Sequence, residues 1–320
     1  MKKVKIFLIA AGLVLTSNLA LGQCPSGTVH LESQSDISQF LLDYPNCEDL
    51  NGSLFFMSDS VTDVSGLSNI KTVVGVLGFH QTACEVVSFP NLTDVDRIYF
   101  HQNHDLDSVD LSQVDGTVDR IYFHQNSTLK KVEICALDSV SQYVYFHEDF
   151  LLNDLCLDQL TTINEYLYIT SCTALTNLNT FSNLVSVGES LYITNNSSLT
   201  DCRGLCPLLD IDGVAGEISI FNNPSECSSL SEVTSACSTA TTNDLSLDGD
   251  FVVFPNPTTG PIEVRGLEYE NISVFDVSGK LVKYESSKNA NFDISELELG
   301  VYWIKLNTKK GQVAVRVLKF

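Results

Sequence analysis

Apolar and polar positions alternate in short bursts along this chain, and the bursts return at nearly constant spacing. The first, Ser-Leu-Phe-Phe-Met, ends at Met57, and Val-Gly-Val-Leu-Gly-Phe-His ends at His80. Asp-Arg-Ile-Tyr-Phe-His ends at His101 and again at His124, and Gln-Tyr-Val-Tyr-Phe-His ends at His147. Glu-Tyr-Leu-Tyr-Ile-Thr and Glu-Ser-Leu-Tyr-Ile-Thr end at Thr170 and Thr194, and a degenerate copy ends at Phe221. Period-two alternation within each phrase predicts a β-strand, with Ile98 and Phe100 turned to a core and Tyr99 and His101 turned outward. The equivalent inward residues are Phe56, Phe79, Phe100, Phe123, Phe146, Ile169, Ile193 and Ile220, spaced by 23, 21, 23, 23, 23, 24 and 27 residues. Such a period predicts a mainly β, right-handed solenoid of about eight coils of ~23 residues, each coil burying its apolar face against the next.

Between strands the apolar positions follow a leucine-rich style, as in Leu175, Leu178, Phe181, Leu184 and Val187 before the next strand. Asn103, Asn126 and Asn196 follow their strands at one equivalent place and are expected to stack as a ladder that bonds the backbone of neighbouring coils. A solenoid exposes a raw core face at each end unless it is capped. Residues 24–50 read as such a cap, with Ser35 as N-cap of a short helix that carries Ile37, Phe40, Leu41 and Leu42 on its apolar side and stops before Pro45. On these motifs the region of about 48–225 resembles bacterial receptor L-domain-like and leucine-rich repeat proteins. The resemblance implies the solenoid fold and names no ligand.

After Cys237 the repeat phrase disappears. Residues 238–250 are polar and read as a linker. Short alternating segments follow at Ile262–Val264, Ile272–Asp276, Phe292–Ile294, Val301–Leu306 and Val313–Leu318, which predicts a small β-sandwich. Three motifs within it are specific: Pro255-Asn256-Pro257-Thr258-Thr259-Gly260, the turn Val277-Ser278-Gly279-Lys280, and Leu299-Gly300-Val301-Tyr302 with the terminal Arg316-Val317-Leu318-Lys319. They resemble the type A C-terminal sorting domain of the type IX secretion system, a family of Bacteroidota, over all of 251–320. The resemblance implies that Pro255, Asn256, Pro257, Gly260, Gly279, Gly300 and Lys319 belong to a sorting motif read by the type IX machinery. It further implies export across the outer membrane to the surface or the medium.

The other terminus agrees with that route. Lys2, Lys3 and Lys5 precede an apolar run from Ile6 to Leu15 and an Ala20-Leu21-Gly22 cleavage site, so residues 1–22 read as a signal peptide. That run is too short for a permanent membrane anchor, and no membrane-spanning segment is expected. Cys24 invites a lipoprotein reading, but Gln23 stands where lipidation requires a small residue. All ten Cys lie beyond the cleavage point, as befits disulfides in an oxidising compartment. Cys24 with Cys47 is a plausible staple of the cap, Cys135 and Cys156 occupy neighbouring coils, and Cys202, Cys206, Cys227 and Cys237 crowd the far end; spacing alone leaves the pairings open. The expected division is thus a signal peptide at 1–22, a capped solenoid at 23–237, a linker at 238–250 and a sorting domain at 251–320.

The formal net charge is −22, and residues 23–250 hold six basic and 32 acidic groups. That field excludes nucleic acid and anionic lipid as partners. No nucleophile elbow, HExxH, P-loop or GxGxxG occurs, so no catalytic residue and no cofactor are expected. The remaining candidate chemistry is the outward strand face, where in-register strands stack equivalent side chains about 4.8 Å apart. His80, His101, His124 and His147 form one row and Tyr99, Tyr122 and Tyr145, continued by Tyr168 and Tyr192, another. Such rows suit an extracellular glycan or a protein ligand, or they are a solvated sheet face shared through repeat ancestry. Two stacked imidazoles could chelate Zn²⁺ or Cu²⁺, with Glu148 the nearby carboxylate, but a firm site wants three or four ligands of fixed geometry, so no metal is expected. Imidazoles in a row also lead one to expect binding at this face to change between about pH 5 and 7. The function expected is non-enzymatic adhesion or ligand recognition at the cell surface. The alternatives are an accessory module or undetected hydrolase on the same scaffold, or a surface-layer component.

Overall fold

The computed structural model describes residues 24–240, 252–277, 279–286, 291–308 and 311–320. Residues 1–22, where a signal peptide is expected, and most of the expected linker lie outside the described residues. The chain is mainly β, and its dominant feature is a long parallel sheet. Strands Val29–Leu31, Leu54–Met57, Thr72–His80, Asp94–His101, Gly116–His124, Leu137–His147, Leu167–Thr170, Leu191–Thr194 and Ile218–Phe221 lie side by side in chain order. The register matches repeat to repeat: Phe56 pairs with Phe79, Phe79 with Phe100, Phe100 with Phe123, Phe123 with Phe146, then Ile169, Ile193 and Ile220 in turn. Strands that follow one another in sequence and pair in parallel must each be joined by a crossover that returns to the same end. This arrangement is compatible with a solenoid.

The inward residues form the core as expected. Phe56, Phe79, Phe100, Phe123 and Phe146 are fully buried and stack with centroids 4.5, 4.8, 4.8 and 5.0 Å apart. A second parallel sheet, which the alternation did not suggest, comprises Val86–Ser88, Ser108–Asp110, Lys131–Glu133 and Asp154–Cys156. Val87, Val109 and Val132 from it join the same buried cluster as the phenylalanines.

The residue after every phrase from His80 onward lies in the left-handed region although none is glycine: Gln81, Gln102, Gln125, Glu148, Ser171, Asn195 and Asn222 all have φ between +53 and +59°. A non-glycine residue there costs of order 1 kcal/mol, so the neighbours must enforce it. They do so through the next strand: Gln81, Gln102 and Gln125 donate their backbone N–H to the carbonyls of His101, His124 and His147. The stack thereby dictates the turn that ends each strand.

Both ends differ in detail from expectation. The first helix spans Gln34–Asp43 and is capped by Ser33, whose Oγ accepts from Asp36 N–H at 3.2 Å while the Asp36 carboxylate accepts from Glu32 N–H. Ser35 lies inside the helix. Ile37 and Phe40 are buried, whereas Leu42 is exposed. At the far end a helix at Leu230–Ala240 takes in the first three residues expected to be linker, and it buries Val233. Four disulfides join Cys24 to Cys47, Cys135 to Cys156, Cys202 to Cys227 and Cys206 to Cys237. The first of these occupies the thiol a lipid anchor would need. Cys84 and Cys172 are free and buried.

The C-terminal part has its own core. An antiparallel sheet of Val252–Phe254, Pro261–Arg265 and Asn291–Asp293 and another of Leu281–Glu285, Asn271–Phe275, Gly300–Thr308 and Gly311–Lys319 share one buried cluster that includes Ile262, Phe292, Ile272 and Ile304.

Candidate functional site

Alternation sends every second side chain of each strand to the same exposed face, and parallel register lines equivalent residues into rows. Tyr99, Tyr122, Tyr145 and Tyr168 stack with centroids 5.0, 4.9 and 4.8 Å apart and planes within 11°. Tyr192 continues the row but tilts by 52° and donates its hydroxyl to Glu217. His80, His101, His124 and His147 stack beside them at 5.0, 5.1 and 4.9 Å. The rows touch edge to face, and His124 Nδ1 and His147 Nδ1 each lie 3.0 Å from the hydroxyl of Tyr122 and Tyr145. All seven side chains anticipated from sequence share this face.

A third row was missed. Arg97, Arg120, Tyr143 and Tyr166 stand two residues before the tyrosines; Tyr143 stacks on Tyr166 at 4.8 Å, and Arg120 lies over the Tyr143 ring. Their parity along the strand was the available signal. A fourth row runs on the left-handed residues: Gln81 Nε2 donates to Gln102, Gln102 Nε2 to Gln125 and Gln125 Nε2 to Glu148.

The stacking changes what the face offers. A sugar lies against the open face of an aromatic ring, but here Tyr122 and Tyr145 have both faces covered by neighbouring rings. The surface is a comb of edges, with hydroxyl, imidazole and guanidinium tips outward. The comb is half-buried, and burial shifts its protons. The Tyr122 hydroxyl is pushed up to about 12, first by burial and then by Tyr99, and Tyr145 is raised further for the same reasons. Burial, reinforced by neighbouring imidazoles, lowers His101 and His124 below the ordinary histidine value. At neutral pH the tyrosine tips are hydrogen-bond donors and these two inner imidazoles are uncharged.

Beneath the comb runs the asparagine ladder, as anticipated. Asn103, Asn126 and Asn196 are fully buried, and their Nδ2 groups donate to the carbonyls of Phe79, Phe100 and Ile169. At one rung the ladder carries Asp149, also buried, whose Oδ1 accepts from Asn126 N–H and Nδ2 while its Oδ2 has no partner. Burial pushes its carboxyl up to about 7, against the hydrogen bonds from Asn126 that favour its charged form.

In the C-terminal part the motif residues fasten the two ends of the segment together. The peptides before Pro255 and Pro257 are cis. Asn256 Nδ2 donates to Arg316 O and its Oδ1 accepts from Leu318 N–H, both at 2.9 Å. Thr258 exchanges backbone bonds with Leu318 and Phe320, and Lys319 beside them is largely buried. Gly260 has φ +152°, and a side chain there would collide with Ser295. Gly279 closes the turn by donating to Asp276 O at 3.0 Å, and Gly300 opens the long strand to Thr308 with φ +154°.

Residues 252–319 match the Secretion system C-terminal sorting domain. The sorting domain marks the chain for export by the type IX system to the outer-membrane surface or beyond, and it implies contact with that machinery. No curated protein matches the chain. No helix among the described residues is long and apolar enough to cross a membrane. Asn256 makes two side-chain hydrogen bonds to the last strand. Its replacement by alanine leaves the Leu318 N–H and the Arg316 carbonyl without these partners, and each lost bond costs about 1 kcal/mol. Asn256→Ala should therefore destabilise the isolated sorting domain by about 1–3 kcal/mol in urea titration; an unchanged midpoint would reject the clasp.

Proposed function

We propose that the exported part is a right-handed solenoid of about eight coils, bounded at 23–237 and joined through 238–250 to a β-sandwich sorting domain, and that it acts in non-enzymatic adhesion or ligand recognition. The observation that carries the proposal is the comb: rows of tyrosine, histidine and arginine tips repeated every 5 Å or so on a rigid in-register sheet. Their rings are locked against one another, so little side-chain entropy remains to be lost on binding. The partner this favours is extended, a glycan chain or a peptide strand laid along the stack, held by repeated hydrogen bonds to the tips rather than by sugar-on-ring stacking.

A glycan array and a peptide array probed with the wild-type chain and with a Tyr122→Ala/His124→Ala double variant test this. These residues sit at the centre of the comb, where the hot spots of an interface cluster, and truncation of a hot-spot residue costs about 2 kcal/mol or more. Loss of most of the signal is expected, about thirtyfold in affinity at that cost. Equal binding by both chains would leave the comb an inert sheet face.

A further inference from the structure

On the exposed face the residue type repeats from rung to rung, and at one rung the glutamine row changes its chemistry. That row runs Gln81, Gln102, Gln125 and then Glu148, so an anionic oxygen stands against the imidazole row at its end. Glu148 Oε2 lies 3.9 Å from His124 Nε2, and Oε1 lies 3.7 Å from His147 Nε2. One donor atom from each of the three residues lies within 4.8 Å of the others. The second nitrogen of each imidazole is engaged, with Nδ1 of His124 and His147 against the hydroxyls of Tyr122 and Tyr145. When Nδ1–H donates to the tyrosine oxygen, the Nε2 lone pair is left free and its direction is fixed. Metal-binding histidines are oriented in the same way by a hydrogen bond on the other nitrogen.

We propose that His124, His147 and Glu148 form a site for a divalent transition metal of the Zn²⁺ class, with water in the remaining position. Two imidazoles and a carboxylate select Zn²⁺, Cu²⁺ or Ni²⁺ over Ca²⁺ and Mg²⁺, which prefer cages of oxygen. Three protein ligands and one open position are a normal zinc complement. Tetrahedral Zn²⁺ with bonds near 2.0–2.1 Å holds its donors about 3.3 Å apart. The carboxylate–imidazole gaps exceed that by about half an ångström, which a small side-chain rotation closes. The two rings, now stacked 4.9 Å apart and 8° from parallel, must tilt toward each other at their Nε2 edges. His124 is also stacked on His101 at 5.1 Å, so the tilt moves it off that neighbour. The acidic field of residues 23–250 raises the local concentration of cations at the site. His80 and His101 lack the third ligand because Gln81 and Gln102 take the place of Glu148. The site does not depend on the partner proposed above.

Calorimetric titration of ZnCl₂ into the EDTA-dialysed full chain tests the site. One Zn²⁺ per chain is expected, with affinity at least about tenfold weaker in His147→Ala and in Glu148→Gln and unchanged in His80→Ala. Glu148→Gln restores the residue the row carries at its three preceding rungs, so the fold should be kept, which unfolding in EDTA verifies. Absence of Zn²⁺ binding, full affinity in both site variants, or an equal loss in His80→Ala would overturn the proposal.

Discussion

Replacing Asp149 with asparagine should stabilise the protein, and by more at pH 8 than at pH 5. Asn103, Asn126 and Asn196 each donate Nδ2 to the carbonyl of the inward residue one repeat back. At Asp149 the corresponding acceptor is the Phe123 carbonyl, and the atom in place of the amide nitrogen is Oδ2, which has no partner. An ionised carboxylate there is buried and incompletely bonded; only the protonated acid can act as the donor this rung calls for. Its carboxyl is accordingly raised from 3.8 to about 7. Between those values the folded chain holds a proton that the unfolded chain has released, so stability falls as pH rises and levels off above about 7. A displacement of about three pH units corresponds to roughly 4 kcal/mol at pH 8, and to roughly 1 to 2 kcal/mol at pH 5. The groups around it, Glu148 beside it, Cys172 on the next rung and the Tyr122 hydroxyl, are the same in both chains. The His101 and His124 shifts, which favour the fold as pH rises, are also common to both. Subtracting urea midpoints of wild type and variant in EDTA at each pH therefore isolates the one carboxyl. A difference near zero at pH 8, or one independent of pH, would show that Asp149 is already accommodated as an anion.

Much of this architecture was readable from side-chain type and spacing, because the core demands one large apolar residue per repeat at a fixed place. Phe56 through Phe146 announce themselves in that way, and period two then assigns Tyr122 and His124 to the other face. Spacing does not encode what happens along the stack. That each tyrosine ring covers its neighbour follows from register, and it turns an apparent platform into a comb. The left-handed turns at Gln102 and Gln125 are equally silent, since glutamine has no preference for that conformation and accepts it only under bonds from the next strand. The strands Val86–Ser88 and Ser108–Asp110 are too short for alternation to register. The helix Leu230–Ala240 is rich in serine and threonine, with weak helix propensity, and is held by Val233 packing and the Cys206–Cys237 bond rather than by its composition. Ser33 was legible in principle: Asp36 stands three residues on, in the arrangement of a capping box.

Deleting residues 252–319 should abolish delivery to the cell surface while leaving the repeat region folded. The two parts bury separate cores: the large cluster runs from Leu31 to Cys237, and the tail's own cluster runs from Ile262 to Val317. All four disulfides lie before the tail, so none is broken by the cut. The truncated chain should thus unfold with the same urea midpoint as the repeat region of the full chain, which excludes misfolding as the reason for any loss of export. Fractionation of cells should then find it behind the outer membrane instead of on the surface or in the medium. The reciprocal experiment fuses residues 251–320 to a reporter that carries only a signal peptide, and it should move that reporter to the outside. A weaker change isolates the recognised surface: Gly260→Val drives a side chain into Ser295 at the foot of the motif, and should block export of the full chain without altering the repeat region. Surface delivery of the truncated chain at the wild-type level would mean that the route is read elsewhere in the protein, despite the match of its tail.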